Sequence, residues 1–293
     1  MSLRYLQNFP SHYWKSYRSM RDSFYECPLE YDIGDEAFQK MVVDVLPKQE
    51  SLKALGIGSG QGKLDCIHMG RMLTRVSRID NTVVEPSLEA VEVYKSLLSG
   101  DLSDRVTTSW YQETFQQYQK RRESSTGDTE KFHFISVVHS LYYTGNDGSS
   151  IGYLIDLLEE NGVLFIAIQN DESGFIKFFR KAVESYGPRY NNTTRGYTTS
   201  QVVKLLNADG RVNYNVVKNR HKIDVTACFE ADSSKGSLVL DFLTHVVDFT
   251  STFSKNVLQS LLDYLKSPDC SEILSDGRII LHLKWDAIII TKK

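Results

Sequence analysis

Two short stretches constrain this chain more than any other feature: Leu55-Gly56-Ile57-Gly58-Ser59-Gly60-Gln61-Gly62, and Val83-Val84-Glu85-Pro86. The first reads as a short apolar strand, a turn of alternating glycines and the start of an amphipathic helix. The second reads as another strand ending on a carboxylate. Glycines at 58, 60 and 62 let the backbone turn sharply and leave main-chain atoms open to a ligand that a Cβ would shut out. A carboxylate closing the second strand can accept hydrogen bonds from both hydroxyls of a ribose. Each such charge-assisted bond is worth roughly 1.5–3 kcal/mol, so Glu85 is expected to be a principal anchor of a nucleoside ligand.

Two cofactor classes compete for such a half. A dinucleotide site asks for GxGxxG, whose third glycine packs helix on sheet, but Lys63 stands where that glycine would fall. GxGxG followed by an acid at the end of the next strand resembles instead the S-adenosylmethionine site of class I methyltransferases. Taken alone, the glycines are equally consistent with a tight loop; Glu85 tips the reading to a nucleoside cofactor.

The 293 residues suffice for one large domain or a domain with a sizeable insertion. A net charge of −3 leaves no basic footprint for nucleic acid. Cys27, Cys66, Cys228 and Cys270 form no CxxC pair, so neither a zinc site nor a disulfide framework is expected, and the histidines show no ligand spacing for a metal. The start of the chain does not read as a signal peptide, and the longest apolar runs are too short to span a bilayer. We expect a cytoplasmic monomer with reduced thiols and no membrane partner.

In chain order, Tyr13, Trp14, Tyr17, Met20 and Phe24 recur at helical spacing, as a core stripe or as a lid over a substrate. A second helix is predicted over 35–46, ended by Pro47. Alternating elements follow: strand 52–57, helix 62–75, strand 79–85, helix 87–98 capped by Ser87, strand 105–110, a helix near 113–122, strand 132–138, helix 149–159 and strand 162–168. Five strands with intervening helices imply an α/β fold, a parallel sheet wound on both faces with ligands at the strands' C-terminal ends. Helix 171–186, a helix from Thr198 or Thr199 to 208 and a strand 212–217 come next. The pattern then turns mostly helical, with candidates at 238–249 and 253–265, and strands 278–283 and 285–291 close the chain, separate or as one bent strand.

With these residues in view, the chain resembles the histamine N-methyltransferase family from about residue 9 to 290. The likeness is carried by Ile57-Gly58-Ser59-Gly60-Gln61-Gly62, Val83-Val84-Glu85-Pro86-Ser87, Trp110-Tyr111-Gln112-Glu113-Thr114, Leu141-Tyr142-Tyr143 and Asp241-Phe242-Leu243-Thr244. The resemblance implies a Rossmann-like class I methyltransferase sheet with a core over about 48–189, a substrate-binding lid and insertion from 1–47 and 190–284, and a closing strand 285–291. It implies S-adenosyl-L-methionine as donor, S-adenosyl-L-homocysteine as product, and histamine or a related imidazole or aromatic amine as the small-molecule acceptor.

Carried over by position, the donor set is Gly58, Ser59, Gly60, Glu85, Pro86, Ala90, Thr114, Phe115 and Val138, with Ala90 where a glutamine is usual and Phe115 where a serine is. The acceptor set is Glu26, Tyr17, Tyr142, Tyr143, Phe179, Tyr190, Phe242, His282 and Leu283. Leu283 stands where the family has an asparagine, so either His282 serves through a shifted register or the acceptor differs from histamine. His139 replaces a glutamine. As the residue ending the fourth strand it is expected to position the acceptor or take up its proton, against the plainer reading of a histidine hydrogen-bonded within the crevice. Tyr143 is the second candidate at the reacting centre, although adjacent Tyr142 and Tyr143 point in different directions. The losses at Ala90, Phe115 and Leu283 leave open a non-catalytic S-adenosylmethionine- or amine-binding protein on the same fold.

Overall fold

The computed structural model describes residues 3–25, 31–100, 102–125, 127, 129–145, 148–190 and 197–292. Helix α1, Pro10–Arg21, begins at Pro10, whose fixed φ suits a first helical position. It is followed by β1, Phe24–Tyr25, and α2, Asp35–Phe38, which widens into a π turn over Gln39–Val43. The alternating part comprises β2, Ser51–Ile57; α3, Lys63–Met72; β3, Arg78–Val84; α4, Leu88–Leu98; β4, Val106–Tyr111; α5, Phe115–Ser124; β5, Phe132–Val138; α6, Ser149–Asp156; and β6, Leu158–Gln169. Then come α7, Gly174–Tyr186; α8, Thr199–Asp209; β7, Val212–Asp224; α9, Ser234–Thr244; α10, Lys255–Lys266; β8, Ser271–Ile273; and β9, Ile279–Lys292.

The chain divides into two compact units. The larger holds Tyr31–Ile168, Thr194–Lys218 and Asp286–Lys293, and the smaller holds Met1–Glu30, Gln169–Thr193 and Asn219–Trp285. The segment 48–189 has parts in both units, its α7 in the smaller. In the larger unit the strands lie in the order β7-β9-β6-β5-β2-β3-β4. Strands β4, β3, β2, β5 and β6 are mutually parallel, with Ile57 opposite Val84 and Gly56 opposite Ser136. The chain reverses direction along the sheet between β2 and β5, so the C-terminal ends of β2, β3 and β5 form the switch point where α/β sheets take ligands.

Both faces of this sheet are covered. Ile57, Ile135, Val137, Ile166 and Ile288 pack with Phe115, Leu154 and Leu206 on one side. On the other, Phe38 stacks on His68 at 4.3 Å, with Phe134 and Phe165 set edge-on around the imidazole. The near-continuous apolar runs in β5 and β6 follow from burial on both sides.

In the smaller unit β1 pairs antiparallel with β7, Phe24 opposite Ile223, and β8 pairs antiparallel with β9, Ser271 opposite Leu281. Around them α9 packs against α1 and α7, and α7 against α10. Three expectations are corrected here, and a fourth is decided between its two alternatives. The aromatic helix stops at Arg21, and Phe24 belongs to β1. Strand β7 continues to Asp224 where helix was expected, its alternating polar and half-buried residues having period two. Helix α9 begins and ends earlier than 238–249, because His245 adopts φ 56°, a left-handed conformation that terminates the helix. The two closing strands are one, Ile279–Lys292.

Candidate active site

Strand β2 ends at Ile57, and the turn after it is left-handed at Gly58, Gly60 and Gly62, with φ of 62°, 56° and 74°. Side chains are excluded at two of these positions by their neighbours. A Cβ on Gly58 would lie 2.5 Å from the Ser140 Cβ, and one on Gly62 2.1 Å from the Tyr94 ring. Gly62 is also the residue from which α3 departs.

Glu85, the residue after β3, closes this turn. Its Oε2 accepts the Gly60 N–H at 2.9 Å and its Oε1 accepts the Ser87 N–H at 2.9 Å. The side chain is buried, and burial pushes its pKa above the ordinary glutamate value against the two backbone donors. Each oxygen retains a further lone pair. Ser87 in turn caps α4 by accepting the Ala90 N–H.

A second carboxylate lies under the turn. Asp65, on the first turn of α3, accepts the Tyr94 hydroxyl at 3.3 Å with the Ser59 and Ser136 hydroxyls close by, and burial pushes its pKa up to about 6. It fixes the turn from within. The sequence reading missed it, although an acid three residues after the last glycine of such a turn was a usable signal.

The end of β5 borders the same turn. Ser140 donates to the Ile57 carbonyl at 2.5 Å, and the His139 N–H donates to Ala167. His139 itself is left-handed, φ 47°, and its Nδ1 lies 3.1 Å from the Tyr142 hydroxyl. Tyr142 packs against the sheet core, whereas the Tyr143 carbonyl accepts from Gln116. The two tyrosine rings stand perpendicular, 6.4 Å apart.

The other expected donor residues divide. Gly58, Ser59, Gly60 and Val138 are partly accessible around the turn and the end of β5, and Pro86 is exposed beside Glu85. Thr114 caps α5 in a reciprocal box with Gln117. Ala90 and Phe115 are core residues, the latter packed edge-on against Tyr153.

The smaller unit gathers most of the expected acceptor rings. Tyr17 lies 5.8 Å from Phe242, Phe242 lies 5.8 Å from His245, His245 lies 5.6 Å from Phe179, and Phe179 lies 6.2 Å from Tyr190. Burial among these rings pushes the His245 pKa down to about 4. Asp241 staples the group. It accepts the Phe249 N–H at 2.8 Å and the Asp248 N–H at 3.0 Å, and its Oδ2 meets His12 Nε2 at 2.8 Å. Buried Leu283 and half-buried His282 occupy opposite sides of β9, as strand alternation requires. Burial lowers the His282 pKa, with the charges of Glu272, Lys222 and Lys284 nearby. Glu26 lies outside the described residues.

No family model matches the chain. Among curated proteins, the histamine N-methyltransferase of Danio rerio is 28% identical, covering 97% of this chain and 97% of its own length. That of Xenopus tropicalis is 26% identical over 99% of this chain and 98% of its own. Among solved structures, the YcgJ protein of Bacillus subtilis superposes with TM-score 0.54 at 15% identity, over 89% of this chain and 100% of its own. The plantazolicin methyltransferase BpumL, solved with SAH and a triazolic substrate analogue, gives 0.51 at 13% identity over 98% and 93%. Relatives at 26–28% identity align from end to end, so the chain is similar to histamine N-methyltransferases over its whole length, on a Rossmann-like methyltransferase sheet whose switch point carries the turn and acid seen here.

Proposed function

We propose that this chain methylates a nitrogen of a small imidazole or related aromatic amine, with S-adenosylmethionine as the donor. One observation carries the reading: the buried Glu85 carboxylate is fixed 2.9 Å from the Gly60 N–H, at the mouth of a turn that excludes side chains. A nucleoside fits that arrangement. Glu85 would hold the ribose hydroxyls with its remaining lone pairs, and the partly accessible backbone of Gly58 to Gly60 would take the polar tail.

When bound, the donor supplies a methyl group already activated on a sulfonium. The protein's contribution is then to present a neutral nitrogen lone pair in line, and positioning of this kind is worth about 7–11 kcal/mol. His139, at the end of β5 beside the glycine turn, would orient the acceptor and receive its proton. Ring faces attract cations by about 0.5–2 kcal/mol each, which suits Tyr142 and Tyr143, in the same unit as His139, to an ammonium-bearing acceptor. Buried Leu283 offers no hydrogen bond where the family has an asparagine, which argues against assuming histamine itself and favours a less polar amine or N-heterocycle.

Calorimetry with S-adenosylmethionine, followed by mass spectrometry of a panel of imidazoles and biogenic amines, tests the reading. Donor binding with an added methyl on at least one amine is the expected result. Binding without product on any acceptor would leave a ligand-binding protein on a methyltransferase fold, and no donor binding at all would remove the cofactor site.

A further inference from the structure

We infer that Tyr31 is a positioning residue for His139, held in place by a buried latch between Asp32 and Arg71. This inference rests on the proposed role of His139 and assigns the group that sets its imidazole. The Tyr31 and His139 rings lie 3.9 Å apart between centroids, inclined at 45°. Both residues are left-handed, with φ of 59° and 47°, conformations that bulky non-glycine residues adopt only where their surroundings enforce them.

The enforcing contacts are visible for each. His139 is fixed by its own N–H to Ala167 and, through Ser140, to the Ile57 carbonyl. Tyr31 is fixed by the residue that follows it. Asp32 takes two parallel N–H bonds from Arg71, Nη1 to Oδ1 at 2.6 Å and Nη2 to Oδ2 at 2.7 Å, and the Arg71 Nε reaches Asp35 at 2.7 Å. Asp32 also receives the Gly34 N–H, and the Arg71 guanidinium lies over the Phe38 ring. The Asp32 and Arg71 side chains are only 7% and 14% exposed, so this forked pair is shielded from solvent screening.

Arg71 belongs to α3, the helix that leaves the glycine turn at Gly62. The latch therefore ties the Tyr31 backbone to the helix that carries the nucleoside turn. The same larger unit holds every part of this arrangement. A tyrosine ring packed against the imidazole restricts its rotation and, with the Tyr142 hydroxyl at Nδ1, selects one orientation of the ring.

The test follows the His139 Cε1–H resonance by NMR in wild type, Tyr31→Ala, Tyr31→Phe and Arg71→Met, assigned by comparison with His139→Gln. Loss of the aromatic ring should move this resonance and change its titration midpoint in Tyr31→Ala, Tyr31→Phe should restore both, and Arg71→Met should shift the resonance in the Tyr31→Ala direction. With histamine as probe acceptor, Tyr31→Ala should raise KM about tenfold and alter the pH profile of kcat/KM, while the affinity for S-adenosylhomocysteine stays within twofold. An unmoved His139 resonance in Tyr31→Ala would overturn the inference, as would a Tyr31→Phe variant that fails to restore it. Absence of turnover in wild type would count against the proposed function, and the resonance would still decide the role of Tyr31.

Discussion

The glycine turn of the larger unit and the ring group of the smaller one are built on different principles. The turn is made of backbone: three left-handed glycines, one carboxylate bridging two N–H groups, and neighbours packed where side chains would otherwise be. The ring group is made of interchangeable surfaces, with Tyr17, Phe179, Tyr190, Phe242 and His245 meeting edge-on or tilted at 5.6–6.2 Å. A backbone site tolerates almost no substitution because each atom has a fixed place. An aromatic group can exchange members while keeping its apolar area and its attraction for cations.

The sharpest way to break this comparison is Gly62→Ala. Its methyl would overlap the buried Tyr94 ring in a left-handed backbone, so we expect loss of measurable S-adenosylmethionine binding and a large drop in Tm. A variant with unchanged Tm and affinity would show that the turn is not rigid.

Glu85→Ala comes next. It removes the acceptor of two backbone donors and of the proposed ribose bonds, and should weaken donor affinity by about 100-fold, the equivalent of two charge-assisted bonds. Calorimetry measures it, and wild-type affinity would detach Glu85 from the site.

Phe242→Leu should be milder, in keeping with a tolerant ring group. An acceptor KM raised about three- to tenfold with donor affinity unchanged is expected, for the loss of one cation–π face. Loss of donor affinity in this variant would erase the distinction between the two regions.

The smallest effect separates the turn from the rest of its own unit. His68 is fully buried among Phe38, Phe134 and Phe165, and neither ring nitrogen has a hydrogen-bond partner among the described residues. Burial pushes its pKa down to about 3. The unfolded chain therefore takes up a proton near pH 6.5 that the folded one refuses, and stability present above 6.5 is lost as pH falls toward 3. His68→Leu should raise stability by about 1 kcal/mol at neutral pH and remove that part of the acid slope, as read from urea melts between pH 4 and 8.

The strand–turn–helix, the carboxylate after β3 and the N-caps at Ser87 and Thr114 were legible because each is a local demand of the backbone on residue type. The smaller unit was harder to read. Strand β7 runs past 217 although its outer residues are polar, and α9 ends at His245 although nothing local marks a histidine as left-handed. Asp65, Tyr31 and His245 escaped notice because their surroundings come from residues distant in sequence.

The sequence by itself determined the parallel sheet, its switch point and the chemistry of the turn, since glycine spacing and apolar runs act over a few residues. Tertiary structure alone decided that Glu85 meets Gly60, that Tyr31 lies on His139, and that Leu283 is buried while His282 turns toward charged neighbours. Those outcomes depend on packing between segments tens to hundreds of residues apart, and no local propensity encodes them.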